Sequence, residues 1–283
     1  PCVPERSSLY AFCPFDGQFV TQNRKVLRLM LKQIIKDKLT VRIFENRALA
    51  GQDAARDGAN AIRELLAKQE WVNIIFAAAP SQNDTLAALF EEPGIDWTRC
   101  RAFHMDEYVG FPKEKKESFG YYLYEHVFGK LPFGEVHYVG GDNPDPEAEC
   151  LRYGELLTKY PTDIVFLGIG ENAHIAFNDP WVADFNDPKK VKLVPLDETC
   201  RNQQVHDGCF ATLDDVPTHA FTLTIPSLTA AKVMICTVPA ATKAEAVYNT
   251  VNAEISADVP ATIMRLHDNA VMYCDPDSGA KLL

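Results

Sequence analysis

The sequence predicts an α/β fold: one doubly wound, mostly parallel sheet with helices on both faces. Three observations carry this. From residue 40 onward, short β-branched or apolar runs alternate with longer helical stretches. The runs at 72–79 and 163–167 are apolar almost throughout, as strands covered on both faces must be. Polar segments bearing Gly, Pro, Ser and Asn follow several of these runs, where a strand hands over to a helix.

Taken in order, residues 1–20 show no period. Over 21–38, Val26, Met30 and Ile34 form one row and Leu27, Leu31 and Ile35 a second, with Arg24, Arg28, Lys32 and Lys36 on the other side. This spacing predicts an amphipathic helix. It belongs to an N-terminal extension, 1–38, ahead of a single domain over 39–283. Strands are predicted at 40–44, 72–79, 101–105, 136–139, 163–167, 191–195, 221–225, 233–238 and 270–274. Helices are predicted at 48–68, from 85, and at 118–128, 146–157 and 243–251. The Pro-, Asp- and Asn-rich stretch 179–190 is a loop. The whole is Rossmann-like.

Composition narrows the function. The 283 residues are 47% hydrophobic, enough for a large core, and carry a formal net charge of -11. Nucleic acid is excluded as an expected partner, because its affinity rests on Lys and Arg neutralising phosphates. No run approaches the ~18 apolar residues of a membrane span. The eight cysteines form no Cys-x-x-Cys pair and the seven histidines show no ligand-like spacing. No metal site and no disulfide framework is expected, and a reduced, cytoplasmic protein is.

In folds of this type ligands bind beyond the C-terminal ends of the strands. Four segments there carry chemistry. Pro80-Ser81-Gln82-Asn83-Asp84-Thr85 enters a helix, and a helix start with Ser81, Gln82 and Asn83 can hold an anion; alone, it reads rather as a simple N-cap turn. Phe103-His104-Met105-Asp106-Glu107-Tyr108-Val109-Gly110 places two adjacent acids at a strand end, one toward the crevice and one away. A carboxylate so placed can act as a general base, or simply cap a helix. Gly168-Ile169-Gly170-Glu171-Asn172-Ala173-His174-Ile175-Ala176-Phe177-Asn178-Asp179-Pro180 sets His174 and Asp179 beside a glycine turn. Histidine is the proton shuttle nearest neutral pH. Lys243 follows the 233–238 strand as a candidate cation for phosphate, or as a solvated surface lysine.

These segments resemble the two signature stretches of the glucosamine-6-phosphate deaminase/isomerase family, which is related to the 6-phosphogluconolactonases. The 216–225 stretch and Thr242-Lys243 match the family in order and spacing, and the likeness runs from about residue 40 to the C-terminus. Ile175-Ala176-Phe177-Asn178 after the histidine favours the deaminase branch. The resemblance implies a deaminase/isomerase-like hydrolase that converts a hexosamine 6-phosphate, glucosamine 6-phosphate first, to a ketose phosphate and ammonia without a cofactor. Asp106 would be the enolisation base and His174 the ring-opening histidine, with Asp179 in the place of the family's Glu. Lys243, with Ser81, Gln82 and Asn83, would bind phosphate, and Arg201 would be a lid arginine. The alternatives are a lactonase-type hydrolase, a galactosamine-6-phosphate isomerase-like enzyme, or a non-catalytic sugar-phosphate sensor. A homo-oligomer is left open.

Two departures bear on rate. Asn172 replaces the family's Asp and Ala173 its Gly. Asn172 cannot stabilise a charged His174, and Asp179 is one methylene shorter than Glu. Ring opening is therefore expected to be the weakened step, with Asn172→Asp expected to speed turnover of glucosamine 6-phosphate.

Overall fold

The computed structural model describes residues 29–206 and 208–283. Its frame is an eight-stranded sheet built from β1 (Met30–Lys36), β2 (Leu39–Phe44), β3 (Val72–Phe76), β4 (Cys100–His104), β6 (Glu135–His137), β7 (Ile164–Leu167), β10 (Val233–Val238) and β11 (Ala270–Cys274). The spatial order is β1-β2-β11-β10-β7-β3-β4-β6. All neighbours are parallel except the β1–β2 hairpin.

The central strands alternate faces residue by residue, as a pleat requires. Ile75, Val165 and Leu167 enter one core with Val41, Met234 and Met272. Ile74, Phe76, Ile164 and Phe166 enter another, beneath α1 (Arg47–Leu66). Two cores, one on each face, are what doubly wound means physically. Helix α1 starts where Asn46 accepts the Leu49 amide at 3.0 Å, an N-cap. It lies flush on the sheet through Gly58, where a Cβ would fall 2.5 Å from the Phe166 ring.

From β3 the chain passes through α2 (Asn83–Phe90) to β4 on one side. From β7 the next strand of this sheet is β10, on the other side. The strand order therefore reverses between β3 and β7, and their following loops diverge to leave a crevice. A second, three-stranded antiparallel sheet sits over this region: β5 (Asp106–Tyr108), β9 (His219–Leu223) and β8 (Val191–Pro195). The remaining helices are α3 (Phe119–Leu123), which runs into a π-helical turn at Tyr124–Phe128, α4 (Pro146–Lys159), α5 (Glu198–His206), α6 (Ile225–Thr229) and α7 (Ala244–Asn252).

The structure corrects the predicted N-terminal helix. Residues 21–28 lie outside the described residues, but Met30–Lys36 is an edge strand paired with β2 across a turn at Asp37 (φ 52°). Residues four apart share a strand face as well as a helix face. A bulge between Met30 and Lys32 breaks that alternation in β1: Met30 packs against the core beneath α1 and Ile34 against the core on the opposite face, while Leu31 and Ile35 turn to solvent. The predicted 221–225 strand begins two residues earlier, at His219. The 72–79 run stops at Phe76, so that Ala77, Ala78 and Ala79 line the crevice.

Candidate active site

A cavity of about 420 Å³ opens at the β3/β7 divergence, a size suited to a small ligand. Five of the residues expected from the sequence line it: Ser81, Asn83, Asp106, His174 and Lys243.

Asp106 opens β5, and its carboxyl is largely buried. Its backbone is fixed by His104, whose Nδ1 meets the Asp106 carbonyl at 2.9 Å while its Nε2 accepts the Val139 amide at 2.8 Å. One ring nitrogen donates and the other accepts, so the imidazole is neutral, and burial pushes its pKa down to about 4. Glu107 faces away, as an alternating strand demands, and accepts the amides of Tyr108, Phe119 and Gly120 at 2.8, 3.1 and 2.8 Å. Burial raises Glu107 to about 7 against the pull of those amides. Burial, reinforced by the Glu107 charge, also holds Asp106 well above the usual carboxylate range. A carboxylate with raised proton affinity is the stronger base once ionised.

His174 projects from the turn after β7. Its ring lies directly over Gly170, where a Cβ would fall 2.2 Å from the imidazole, so only glycine fits there. The turn is closed by Gly170 N–H to the His174 carbonyl (2.9 Å) and Ala173 N–H to the Gly170 carbonyl (3.0 Å). Ala173 sits at φ 64°, the left-handed region that favours glycine, so the departure at this position is backbone strain and not altered chemistry.

Asn172 and Asp179 do not line the cavity. They stand behind His174. His174 Nδ1 is 2.8 Å from Asn172 Oδ1 and 3.0 Å from Asp179 Oδ1, and Asn172 Nδ2 donates to Asp179 Oδ1 at 2.8 Å. Both neighbours of Nδ1 are acceptors, so Nδ1 carries a proton. Burial pushes Asp179 up, but the hydrogen bond and charge of His174, aided by Asn172 and Cys200, hold it below the usual carboxylate range. The expectation that Asp179 reaches less far is thus corrected: the turn brings its carboxylate to His174 despite the missing methylene. His174, Asp179 and Cys200 also offer three ligand-type atoms within 4.8 Å of one another. His174 Nδ1 and Asp179 Oδ1 are already engaged with each other and with Asn172.

Two helix starts contribute to the cavity, a geometry that can hold an anion. Ser81 and Asn83 precede and open α2, and Thr242 and Lys243 precede α7. Gln82 turns inward, donating through Nε2 to Ser81 Oγ and the Thr237 carbonyl, both at 3.2 Å, so it braces the loop. Asn83 accepts the Tyr122 hydroxyl. Lys243 is nearly buried.

Arg201 is not at the site. Its guanidinium donates to the carbonyls of Leu213 (2.6 Å) and Val216 (2.9 Å), tying α5 to the segment after it. Other residues of this region line the cavity instead. Gln204 Oε1 accepts the buried Tyr108 hydroxyl at 2.8 Å, Gln203 Oε1 accepts the Glu171 amide at 3.1 Å, and Cys209 follows. Arg47, the first residue of α1, lines the mouth. None of these four carries a sequence signal beyond its residue type.

Residues 45–273 match the family described as glucosamine-6-phosphate isomerases/6-phosphogluconolactonase. A glucosamine-6-phosphate deaminase of Bacillus cereus (strain B4264) is 34% identical over 227 residues, 80% of this chain and 84% of that protein. One from an Exiguobacterium species is 32% identical over 235 residues, 83% and 90% of the two chains. Among solved structures, a monomeric glucosamine-6-phosphate deaminase superposes with a TM-score of 0.77 at 27% identity, over 85% of this chain and 98% of that one. A 6-phosphogluconolactonase of Thermotoga maritima shares the fold, with a TM-score of 0.69 at 18% identity over 84% and 100%. Among the described residues no helix is long and apolar enough to cross a membrane. With four-fifths of its length matched, signature turns included, the chain belongs to the glucosamine-6-phosphate isomerase/6-phosphogluconolactonase family.

Proposed function

We propose that this chain isomerises and deaminates a hexosamine 6-phosphate, glucosamine 6-phosphate foremost, giving the ketose 6-phosphate and ammonia. The observation that carries the reading is the pairing, in one cavity, of Asp106 with a His174 whose Nδ1 is already tied to Asp179 and Asn172. That tie leaves Nε2 as the nitrogen that can exchange a proton with the sugar. His174 takes the proton of the anomeric hydroxyl and returns it to the ring oxygen, opening the pyranose. Asp106 removes the C2 proton and delivers it to C1, passing through an enolamine. Water then replaces nitrogen at C2 and ammonia leaves. Every step is proton transfer, addition or elimination, so the reading invokes no cofactor.

Lys243, Ser81 and Asn83 receive the phosphate, where two helix starts add their amides and positive dipole ends. The broader label of hydrolase is dropped, because the curated relatives are deaminases and the family description leads with isomerases. We assign residues 39–283, with β1 added to their sheet, to one catalytic domain. A reducing cytoplasm suits the free thiols of the six described cysteines. The test is ammonia release from glucosamine 6-phosphate and galactosamine 6-phosphate, with hydrolysis of 6-phosphogluconolactone as the control. Lactone turnover without ammonia would move the chain to the lactonase side, and tight binding without turnover would make it a sensor.

A further inference from the structure

We propose that Arg47 is a phosphate ligand of this cavity and a main selector for phosphorylated over unphosphorylated sugar; this rests on the reading of the site as a hexosamine-phosphate site. The lid arginine expected on α5 is absent from the cavity, because Arg201 is spent on the carbonyls of Leu213 and Val216. A guanidinium nevertheless reaches the cavity from another element. Arg47 lines the mouth beside Pro80, Ser81 and Asn83, the residues of the α2 anion loop.

Its geometry suits capture of a phosphate. Nε donates to Asp84 Oδ2 at 2.6 Å, and Nη2 has one long contact, 3.4 Å, to the Pro80 carbonyl. Among the described residues the guanidinium makes no other hydrogen bond or ion pair, which leaves Nη donors on the terminal edge. A guanidinium held through Nε can still present its Nη1/Nη2 edge to two phosphate oxygens. Asp84 itself does not line the cavity. It acts as a positioning residue, holding Arg47 from the side.

The placement is built into the packing. Helices α1 and α2 meet at Gly51, where a Cβ would fall 2.8 Å from Asp84 Cβ. That approach sets the first turn of α1 beside the first turn of α2. Arg47 is also about half exposed (47%), so it can adjust to an arriving phosphate at small cost. With Lys243 on the α7 side, the phosphate would sit between cations from two different helix starts.

The experiment compares wild type with Arg47→Ala, Arg47→Lys, Asp84→Asn and the Arg47→Ala/Asp84→Asn double variant. It measures kcat and KM for glucosamine 6-phosphate, and the Kd of inorganic phosphate by calorimetry. Arg47→Ala should raise both KM and the phosphate Kd by about 10- to 100-fold, the range of a charge-assisted hydrogen bond, with kcat within about threefold. Arg47→Lys should recover part of the loss, since it restores charge but not the fork. Asp84→Asn should raise KM in the wild-type background and add nothing to Arg47→Ala, as expected of a residue acting through Arg47. If Arg47→Ala shifts KM and the phosphate Kd by less than twofold, or lowers kcat alone, Arg47 is not a phosphate ligand. A wild type that releases ammonia and binds phosphate while Arg47→Ala matches it sinks this inference only. A wild type that neither turns over the sugar nor binds phosphate sinks the functional reading as well.

Discussion

Asp106 and His174 stand at strand ends, buried, with the backbone or ring held by hydrogen bonds from His104, Asn172 and Asp179. Arg47 and Lys243, which line the same cavity, stand at helix starts on long side chains, and Arg47 keeps much of its surface in water. On the proposed reading, the contrast follows from what the two groups of residues do. Proton transfer is steep in distance and angle, so its groups need a rigid setting. Phosphate recognition is electrostatic and tolerates adjustment. Substitutions in the first group should therefore change kcat, and those in the second KM.

Asp106→Asn tests the rigid group most severely. It should lower kcat by about 10²- to 10⁴-fold, the scale of general acid–base catalysis, with KM little changed. Wild-type kcat in this variant would remove Asp106 from the chemistry. The pH profile sharpens the same point. As the proposed base, Asp106 would have to be ionised, and burial with the Glu107 charge raises its pKa. The acid limb of kcat/KM should therefore fall at a pH above the usual carboxylate range, and a limb at an ordinary carboxylate value would mean the site is wetter than its burial implies.

Lys243→Ala probes the binding group. It should weaken phosphate-ester binding by about 1.5–3 kcal/mol, read as KM or as a calorimetric Kd, and leave unphosphorylated glucosamine unaffected. A loss confined to kcat would erase the contrast between the two groups.

Asn172→Asp comes next, and here the structure reverses the expectation drawn from the sequence. Asn172 Nδ2 donates to Asp179 Oδ1 at 2.8 Å. A carboxylate in its place would face Asp179 with no proton between them, and like charges in a buried site disfavour ionisation. Turnover at neutral pH should drop about tenfold, roughly one charge-assisted hydrogen bond's worth. Faster turnover would mean that His174 needs more negative charge than Asp179 alone supplies.

The smallest effect belongs to Ala173→Gly. Relief of the left-handed backbone at φ 64° should stabilise the fold by about 1 kcal/mol, seen as a raised midpoint in urea, with kinetics unchanged. A kinetic effect would show that this strain aims His174.

Much of this architecture was legible in the chain itself. The strands β10 and β11 fall at the predicted boundaries, and β3 and β7 within a few residues, because strands covered on both faces must be apolar at nearly every position; β8, a half-exposed edge strand, also falls at its predicted boundaries. Asp106, His174, Ser81, Asn83 and Lys243 stand out in the sequence because they follow strands, and the fold brings all five to one cavity. The rows at spacing four fit a helix, and only the pairing of Met30–Lys36 with β2, bulged between Met30 and Lys32, makes this segment a strand. Strand β5 has three residues and exists through its register with β9.

What the sequence determines by itself is the alternation of elements, the two faces of the sheet and the residue types waiting at each strand end, since these follow from local periodicity and turn chemistry. Which way a side chain points, and what reaches it from elsewhere in the chain, is decided only by packing. Arg201 turns to the carbonyls after its own helix, Arg47 enters the cavity because α1 and α2 close on Gly51, and Asp179 meets His174 because the turn over Gly170 folds the ring back toward it. Each of these is a distance between residues far apart in sequence or across a tight turn, and hydrophobic periodicity carries no term for such a distance.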